Sequence, residues 1–572
     1  MKSLFSLLFQ SILFASVINS FPCFAQDREL LVRDSVRIPL RNGKYVSAII
    51  VTDPAIREPL PAVLFYTTYY MGPGDTNVAR RAALKGYVGV LAYCRGIRSD
   101  LADYIPFVND GNDAYDVIDW ISRQKWCNGK IGMYGGSYTG YVQWAAASRF
   151  HPALKTIVPQ VPVMPGFDFP MENNIPLGHI LSWSHDNIYK LPRLNGDLLF
   201  TWFEKGIPYR RLDSLAGRKN PIFQQWLRHP AYDQYWQSFA PSPSQYGQIN
   251  IPVLTTTGYY DGCAISALEY YKRHNQFNSH AEHYLVIGPY DHWGGQRRFA
   301  DTLMGYAVDS AARLNMVDIA FDWLDHILKG APRPSILKDR INYEIMGANQ
   351  WGHAPTLEAM SNDTLTYYLG SSQEGRFNSL EQSKPLPALT FDQQVDFRDR
   401  VNHNNYFTPL IINETLEPGG GLVFVSPAFR EPVLLNGAFS GRLKVMVNKK
   451  DMDISIAFYE QMPDGRYFYL TRYLGRASYA GQNSRRQLLV PGKEVNIPIS
   501  NTRITSRKFS KGSRLVIVLN VNKHPFEVVN YGSGKDVNDE SVLDAGVPMQ
   551  IHWSSESFIK VPVQTGIVPG GN

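Results

Sequence analysis

The chain has 572 residues, 44% of them hydrophobic and 19% charged, with a formal net charge of +6. That composition excludes disordered and collagenous classes, and the length implies roughly three or four domains. A modest positive charge without a long basic run argues against nucleic acid as a ligand.

The first stretch stands apart from the rest. Lys2 precedes an apolar segment from Leu4 to about Ile18, followed by a polar break and Cys23-Phe24-Ala25. Residues 1–25 therefore read as a secretory signal peptide cleaved after Ala25, which implies a periplasmic or secreted protein with no membrane contact once the signal is removed. A membrane anchor is the alternative, but the apolar run is shorter than a span needs. Phe21 and Pro22 before Cys23 disfavour a lipoprotein. Cys94, Cys127 and Cys263 remain, an odd number without metal-ligand spacing, so free thiols are expected rather than a disulfide framework.

Val36–Leu40 and Val46–Val51 flank Arg41-Asn42-Gly43-Lys44 as a hairpin. Pro61–Tyr66 is a continuous apolar run of the kind found in buried central strands. Ala79–Lys85 reads as a helix ending at Gly86, and Val88–Tyr93 as a strand. Asp113–Gln124 is a helix with Val117, Ile118 and Ile121 on one face. An Asn128-Gly129 turn leads into a strand that ends in Gly135-Gly136-Ser137-Tyr138-Thr139-Gly140, with a helix over Tyr141–Ser148 and a strand over Thr156–Val163. This alternation implies a parallel sheet covered on both faces, residues 28–164 forming its first part.

From Pro165 to Tyr246 the rhythm changes, and Trp183, Trp202, Trp226 and Trp236 mark an inserted helical cap, residues 165–246. The α/β rhythm resumes over 247–335 with the strand Val253–Thr257, a helix near Ala264–His274, the strand Tyr284–Ile287 and a helix over Ala320–Leu328 stopped by Gly330 and Pro332. Beyond it the alternation of Leu443, Val445 and Val447, that of Ile454, Ile456 and Phe458, and the strand Leu515–Val521 predict an all-β domain, residues 336–572, as a sandwich or jelly roll.

A serine forced onto a sharp strand-to-helix turn projects its hydroxyl and tolerates only glycine nearby, and the helix start supplies N–H groups for an oxyanion. Taken alone, Gly-x-Ser-Tyr-x-Gly is no more than a glycine-rich loop. A nucleophilic serine also needs a base, and the base an orienting carboxylate. In an α/β-hydrolase these follow in the order Ser, acid, His, each after a strand. Asp261, in Gly258-Tyr-Tyr-Asp-Gly262, and His292, in Gly288-Pro-Tyr-Asp-His-Trp-Gly294, meet that order and context. Individually each is open to a bland reading, a turn aspartate and a loop histidine. No His-Glu-x-x-His segment or other usable ligand spacing occurs, so neither a metal nor a cofactor is expected.

The runs Gly96-Ile-Arg-Ser99, Asp113–Ile121, Gln124–Gly140, Gly288–His292, Phe321–Gly330, Gly347-Ala-Asn-Gln-Trp351 and the stretch Asn520–Asn530 resemble the CocE/NonD hydrolases. These are related to cocaine esterase, α-amino-acid ester hydrolases, glutaryl-7-aminocephalosporanic acid acylases and Xaa-Pro dipeptidyl-peptidases. The resemblance spans nearly the whole chain after the signal segment. It implies an α/β-hydrolase core with a helical cap after the sixth strand and a C-terminal jelly roll. It also implies a catalytic triad of Ser137, Asp261 and His292. The oxyanion hole would be made by the hydroxyl of Tyr69 and the N–H of Tyr138; threonine stands at Thr68 where the family usually has proline, and Tyr70 is the next candidate.

The expected substrate is a small ester or amide, or a short peptide, cleaved through an acyl-enzyme. In α-amino-acid ester hydrolases an acidic pair follows the triad aspartate and helps bind the substrate ammonium, whereas Gly262, Cys263 and Ala264 follow Asp261 here. Asp168 and Glu172 are the remaining candidates for negative charge, and Trp183 with the other cap aromatics for an apolar pocket. A Xaa-Pro dipeptidyl-peptidase-like aminopeptidase stays as a variant of this reading. A non-catalytic carbohydrate-binding protein, using Gly419-Gly420-Gly421, is the reading from a different class. The oligomeric state is open, a homo-oligomer included.

Overall fold

Ten strands form the sheet that carries the site. In chain order they are β1 (Leu31–Pro39), β2 (Tyr45–Thr52), β3 (Leu60–Thr67), β4 (Val88–Tyr93), β5 (Cys127–Gly136), β6 (Leu154–Gln160), β7 (Val253–Gly258), β8 (His283–Gly288), β9 (Ile341–Ile345) and β10 (Gln350–Ala354). Their spatial order is 1-2-4-3-5-6-7-8-9-10. The strands from β4 through β9 run parallel, and β1, β2 and β10 are antiparallel to their neighbours. The computed structural model describes residues 29–298, 300–371, 377–403 and 409–565, so the expected signal peptide lies outside the described residues.

Helices cover both faces, as the near-continuous apolar runs of β4, β7 and β8 require: every residue of these three strands is buried. The covering helices are α1 (Thr76–Leu84), α2 (Asp110–Ser122), α3 (Tyr138–Ala147), α6 (Ala264–Phe277) and α7 (Met316–Lys329), with α4 (Leu198–Lys205) and α5 (Pro221–Leu227) in the cap. All ten residues of α3 are buried, because it runs between sheet and neighbours with Trp144 stacked on Tyr270 at 4.9 Å. It begins three residues before the apolar pattern indicated, directly at Ser137. The Asn315 side chain caps the start of α7 by accepting the Val317 N–H, and Gly330 at φ 77° ends it.

The cap leaves the core after β6. It is less regular than a helical insertion: α4 and α5 are eight and seven residues long, and Trp183–Ile188 is a π-helical turn. Its own core is aromatic, Phe169, Trp183 and Trp226 meeting at 5.2–5.7 Å.

The division read from sequence at 335 falls inside the main sheet. The α/β core does not end at 335: β9 pairs parallel with β8, Leu285 opposite Ile341, and β10 pairs with β9. Alternation identifies a strand but not which sheet edge receives it, and the wholly buried Ile341–Ile345 is what a parallel neighbour of β8 needs. The separate β network of the C-terminal segment begins after Ala354. Its fourteen strands, from Asp363 to Gln564, share one hydrogen-bonded network in which Ser440–Val447 pairs with Phe558–Lys560 and then with Ile551–Trp553. Gly419 and Gly420 form a tight turn pinned by Gln393 and Asn520, which accounts for the triple glycine structurally. Among the described residues no helix is long and apolar enough to cross a membrane.

Candidate active site

Register alone brings three loops to one rim. Gly136, the last residue of β5, is level with Gln160 on β6, Gln160 with Thr256 on β7, and Gly258 on β7 with Gly288 on β8. Ser137, Asp261 and His292 follow these strand ends by one to four residues, at the carboxyl edge where open α/β sheets form their crevices.

Ser137 has φ 63° and ψ −126°, a conformation that costs a non-glycine residue about 1–3 kcal/mol. Its neighbours are glycines because there is no room: a Cβ on Gly135 would lie 2.4 Å from Thr139 Cγ2, and one on Gly140 would lie 2.8 Å from Pro162 Cα. The Ser137 N–H is tied to Gln160 O at 3.0 Å, so β6 holds the elbow from the side. The hydroxyl oxygen lies 3.2 Å from Tyr69 Oη. No hydrogen bond to His292 is formed among the described residues.

Tyr69 sits just past β3. Its hydroxyl accepts the Trp183 Nε1–H at 3.4 Å and shares a hydrogen bond with the Ser137 hydroxyl. Burial pushes the phenol pKa up, with these hydrogen bonds pulling it partly back. The Tyr138 side chain is turned away: its hydroxyl donates to Asp110 at 2.6 Å and accepts the Phe107 N–H at 2.7 Å, so only its backbone faces the site. Tyr70 is 39% exposed and packs on Tyr93 beneath Arg98, apart from Ser137.

Asp261 and His292 meet at 2.8 Å between Oδ1 and Nδ1. The carboxylate is fully buried and fully used, since Oδ2 accepts the Thr257 hydroxyl at 2.8 Å and Oδ1 also accepts the Cys263 N–H at 2.9 Å. Burial pulls the His292 pKa down, but the Asp261 charge and hydrogen bond outweigh it, with Asp291 and Asp168 adding, and the net shift is upward. A second imidazole, His179, is driven the other way, to about 4, by the protein packed around it and by the charges of His292 and Arg472. Near neutral pH His179 is uncharged, which leaves His292 as the more basic imidazole of the two.

The remaining charged candidates are buried in the wall. Asp168 accepts the Ser266 N–H at 2.8 Å, satisfying the first turn of α6, and burial raises its pKa to about 7. Glu172 is bidentate with Arg503 at 3.0 and 2.6 Å; burial opposes its charge, but the guanidinium outweighs it and holds the pKa below the usual value. Neither carboxylate is open to a substrate ammonium, which corrects the expectation drawn from sequence. Trp183 is half-buried, stacked on Tyr138 at 5.9 Å and on the Tyr69 side of the recess, as an apolar wall requires.

Asp261, Cys263 and His292 are the one metal-compatible grouping among the described residues, with ligand atoms within 4.8 Å of one another. The direct Asp261–His292 hydrogen bond already accounts for it. Sequence reasoning missed Thr257, His179 and Arg503. Thr257 is the penultimate residue of β7 and so carried a positional signal; Arg503 carried none, as a single arginine in a distant β domain.

Residues 46–294 match the family model described as X-Pro dipeptidyl-peptidase (S15 family), and residues 338–552 match that of the X-Pro dipeptidyl-peptidase C-terminal non-catalytic domain. The chain is 23% identical to the cocaine esterase of Rhodococcus sp. (strain MB1 Bresler), covering 94% of this chain and 99% of that protein. Among solved structures, an aminopeptidase from the marine sediment archaeon Thaumarchaeota archaeon superposes with a TM-score of 0.80 at 18% identity, covering 96% of this chain and 99% of that one. An α-amino acid ester hydrolase superposes with a TM-score of 0.74 at 20% identity, covering 96% and 100%. The chain is thus a serine hydrolase, built from an α/β-hydrolase domain that matches the S15 model and a C-terminal β-rich domain that matches the X-Pro dipeptidyl-peptidase C-terminal model.

Proposed function

We propose that this serine hydrolase cleaves small esters, and amides of similar size, by two-step acyl transfer at Ser137. Ser137 Oγ attacks the substrate carbonyl carbon while its proton passes to His292 as general base. The carbonyl oxygen becomes an alkoxide between the Tyr69 hydroxyl and the Tyr138 N–H, two donors of the kind typically worth a few kcal/mol each in the transition state. The imidazolium, held by Asp261, then protonates the departing alcohol or amine as the acyl–leaving-group bond breaks. Water, deprotonated by His292, releases the acyl group and restores Ser137.

The observation that carries this reading is the strained Ser137 with Tyr69 Oη at 3.2 Å, beside an imidazole made more basic by a buried carboxylate. A fluorophosphonate probe should label Ser137 in the wild type and nothing in Ser137→Ala; unchanged ester turnover in that variant would overturn the assignment. The occupied Asp168 and Glu172 favour esters without a free α-ammonium over Xaa-Pro peptides. Comparing p-nitrophenyl esters, amino-acid esters, β-lactam acyl amides and Xaa-Pro amides by kcat/KM tests that preference. Export rests on the Leu4–Ile18 segment, and an N-terminus at Gln26 in the mature protein is the expected result.

A further inference from the structure

We propose that Arg503, from the C-terminal domain whose model is described as non-catalytic, is a positioning residue for hydrolysis that fixes the backbone of the turn carrying Asp261. The inference rests on the reading of Asp261 and His292 as acid and base above.

The turn is held unevenly. Its first half is fastened to the β8 loop: Tyr259 N–H donates to Gly288 O at 2.9 Å and Tyr260 N–H to Tyr290 O at 3.1 Å. Its second half reaches Gly262, which is exposed and has open space where a Cβ would be. Side-chain packing cannot stiffen that half, so hydrogen bonds must. Arg503 adds to the turn's own Cys263 N–H to Asp261 Oδ1 bond at 2.9 Å and Ala264 N–H to Asp261 O bond at 3.3 Å: Nε donates to the Asp261 carbonyl at 3.3 Å and Nη2 to the Gly262 carbonyl at 3.2 Å, while Nη1 and Nη2 grip Glu172 at 3.0 and 2.6 Å. The planar fork of arginine suits this double task, and the single ammonium of lysine does not.

The guanidinium is itself anchored. Arg503 directly precedes the strand Ile504–Phe509, which pairs with Val433–Ala438 of its own domain. The same strand bonds the core just past β9, Met346 N–H to Ser506 O at 3.2 Å and Lys508 N–H to Met346 O at 3.0 Å. Tyr260 makes a second tie across the seam by donating to the Tyr469 carbonyl at 3.0 Å. Core, cap and β domain therefore converge on one side chain behind the Asp261–His292 pair, and loosening it lets the turn backbone shift the carboxylate relative to the imidazole.

Removing Arg503 alone leaves Glu172 buried and unpaired, which can unfold the protein for reasons unrelated to rate. The decisive variant is Glu172→Gln with Arg503→Met, a neutral pair of similar volume that keeps the wall but not the two carbonyl bonds. We expect a near wild-type melting temperature, an unchanged KM for a p-nitrophenyl ester and a kcat lower by on the order of 10²-fold, the effect of an ångström-scale misplacement. In Arg503→Ala, millimolar guanidinium should restore part of kcat by refilling the site. A folded double variant with wild-type kcat, or a loss confined to KM, would overturn the inference. Asp261→Asn is run alongside: if it keeps full kcat, the acid–base reading fails as well, whereas its loss with an unaffected double variant sinks the Arg503 role alone.

Discussion

Arg503 pairs with Glu172 where core, cap and β domain meet, and Arg476 pairs with Asp453 inside the β domain. Both are bidentate and nearly inaccessible, the side chains 7% and 3% exposed in one pair and 1% and 0% in the other. Around Arg476 the network stays local: Asn530 donates to Asp453 at 2.8 Å, and Asp451 joins Arg486 and Ser478 at 2.9 and 2.7 Å. Among the described residues none of these groups is hydrogen-bonded to the Ser137, Asp261 or His292 loops, whereas Arg503 also holds two carbonyls of the Asp261 turn. Burial and pairing set what is lost when a partner is removed. Which backbone the guanidinium also touches decides whether the loss appears in stability or in rate.

Variants at the rim and in the interior can break this distinction. Ser137→Ala touches neither pair and should lower kcat by roughly 10⁶-fold with an unchanged thermal melt. Asp261→Asn should cost about 10⁴-fold in kcat. The carboxylate is what raises the His292 pKa, so the acid limb of its pH–rate profile should move to lower pH than in the wild type. Arg476→Met should leave kcat per titrated active site unchanged and reduce unfolding stability by about 3–5 kcal/mol, as expected for an isolated buried charge. A rate loss in correctly folded Arg476→Met would erase the contrast with Arg503.

Glu344 on β9 sharpens the same contrast through pH. It is fully buried, among the described residues neither carboxylate oxygen has a hydrogen-bond partner, and burial with the nearby Asp309 pushes its pKa up to about 9. Between the ordinary glutamate value and about 9 the folded state keeps a proton that the unfolded chain releases, so stability falls as pH rises through that window. Glu344→Gln should therefore gain melting temperature relative to wild type, the gain growing from pH 5 to pH 9, with kcat unaltered. The smallest expected effect is Trp183→Phe, which removes one donor to Tyr69 and should reduce kcat/KM by a factor of about 2–10, the worth of a single hydrogen bond.

The elbow, the alternation of strands and helices and the strand-end positions of Asp261 and His292 were legible in the sequence because each is a local signal: glycines with no room beside them, or a loop after an apolar run. The destination of Ile341–Ile345 was not, since its burial comes from β8, more than fifty residues earlier. Asp168 and Glu172 looked like solvated or substrate-facing charges for the same reason. Their partners, the first turn of α6 and Arg503, lie far along the chain, and a carboxylate between Phe167 and Phe169, or between Met171 and Asn173, carries no sign of what it will bind.

The extension of the main sheet by β9 and β10 means that the enzyme does not divide where its sequence changes character. A fragment ending at 335 would bare the hydrogen-bonding flank of Leu285–Ile287, an apolar strand edge that invites self-association. The catalytic half therefore matures only together with the segment that leads out of it.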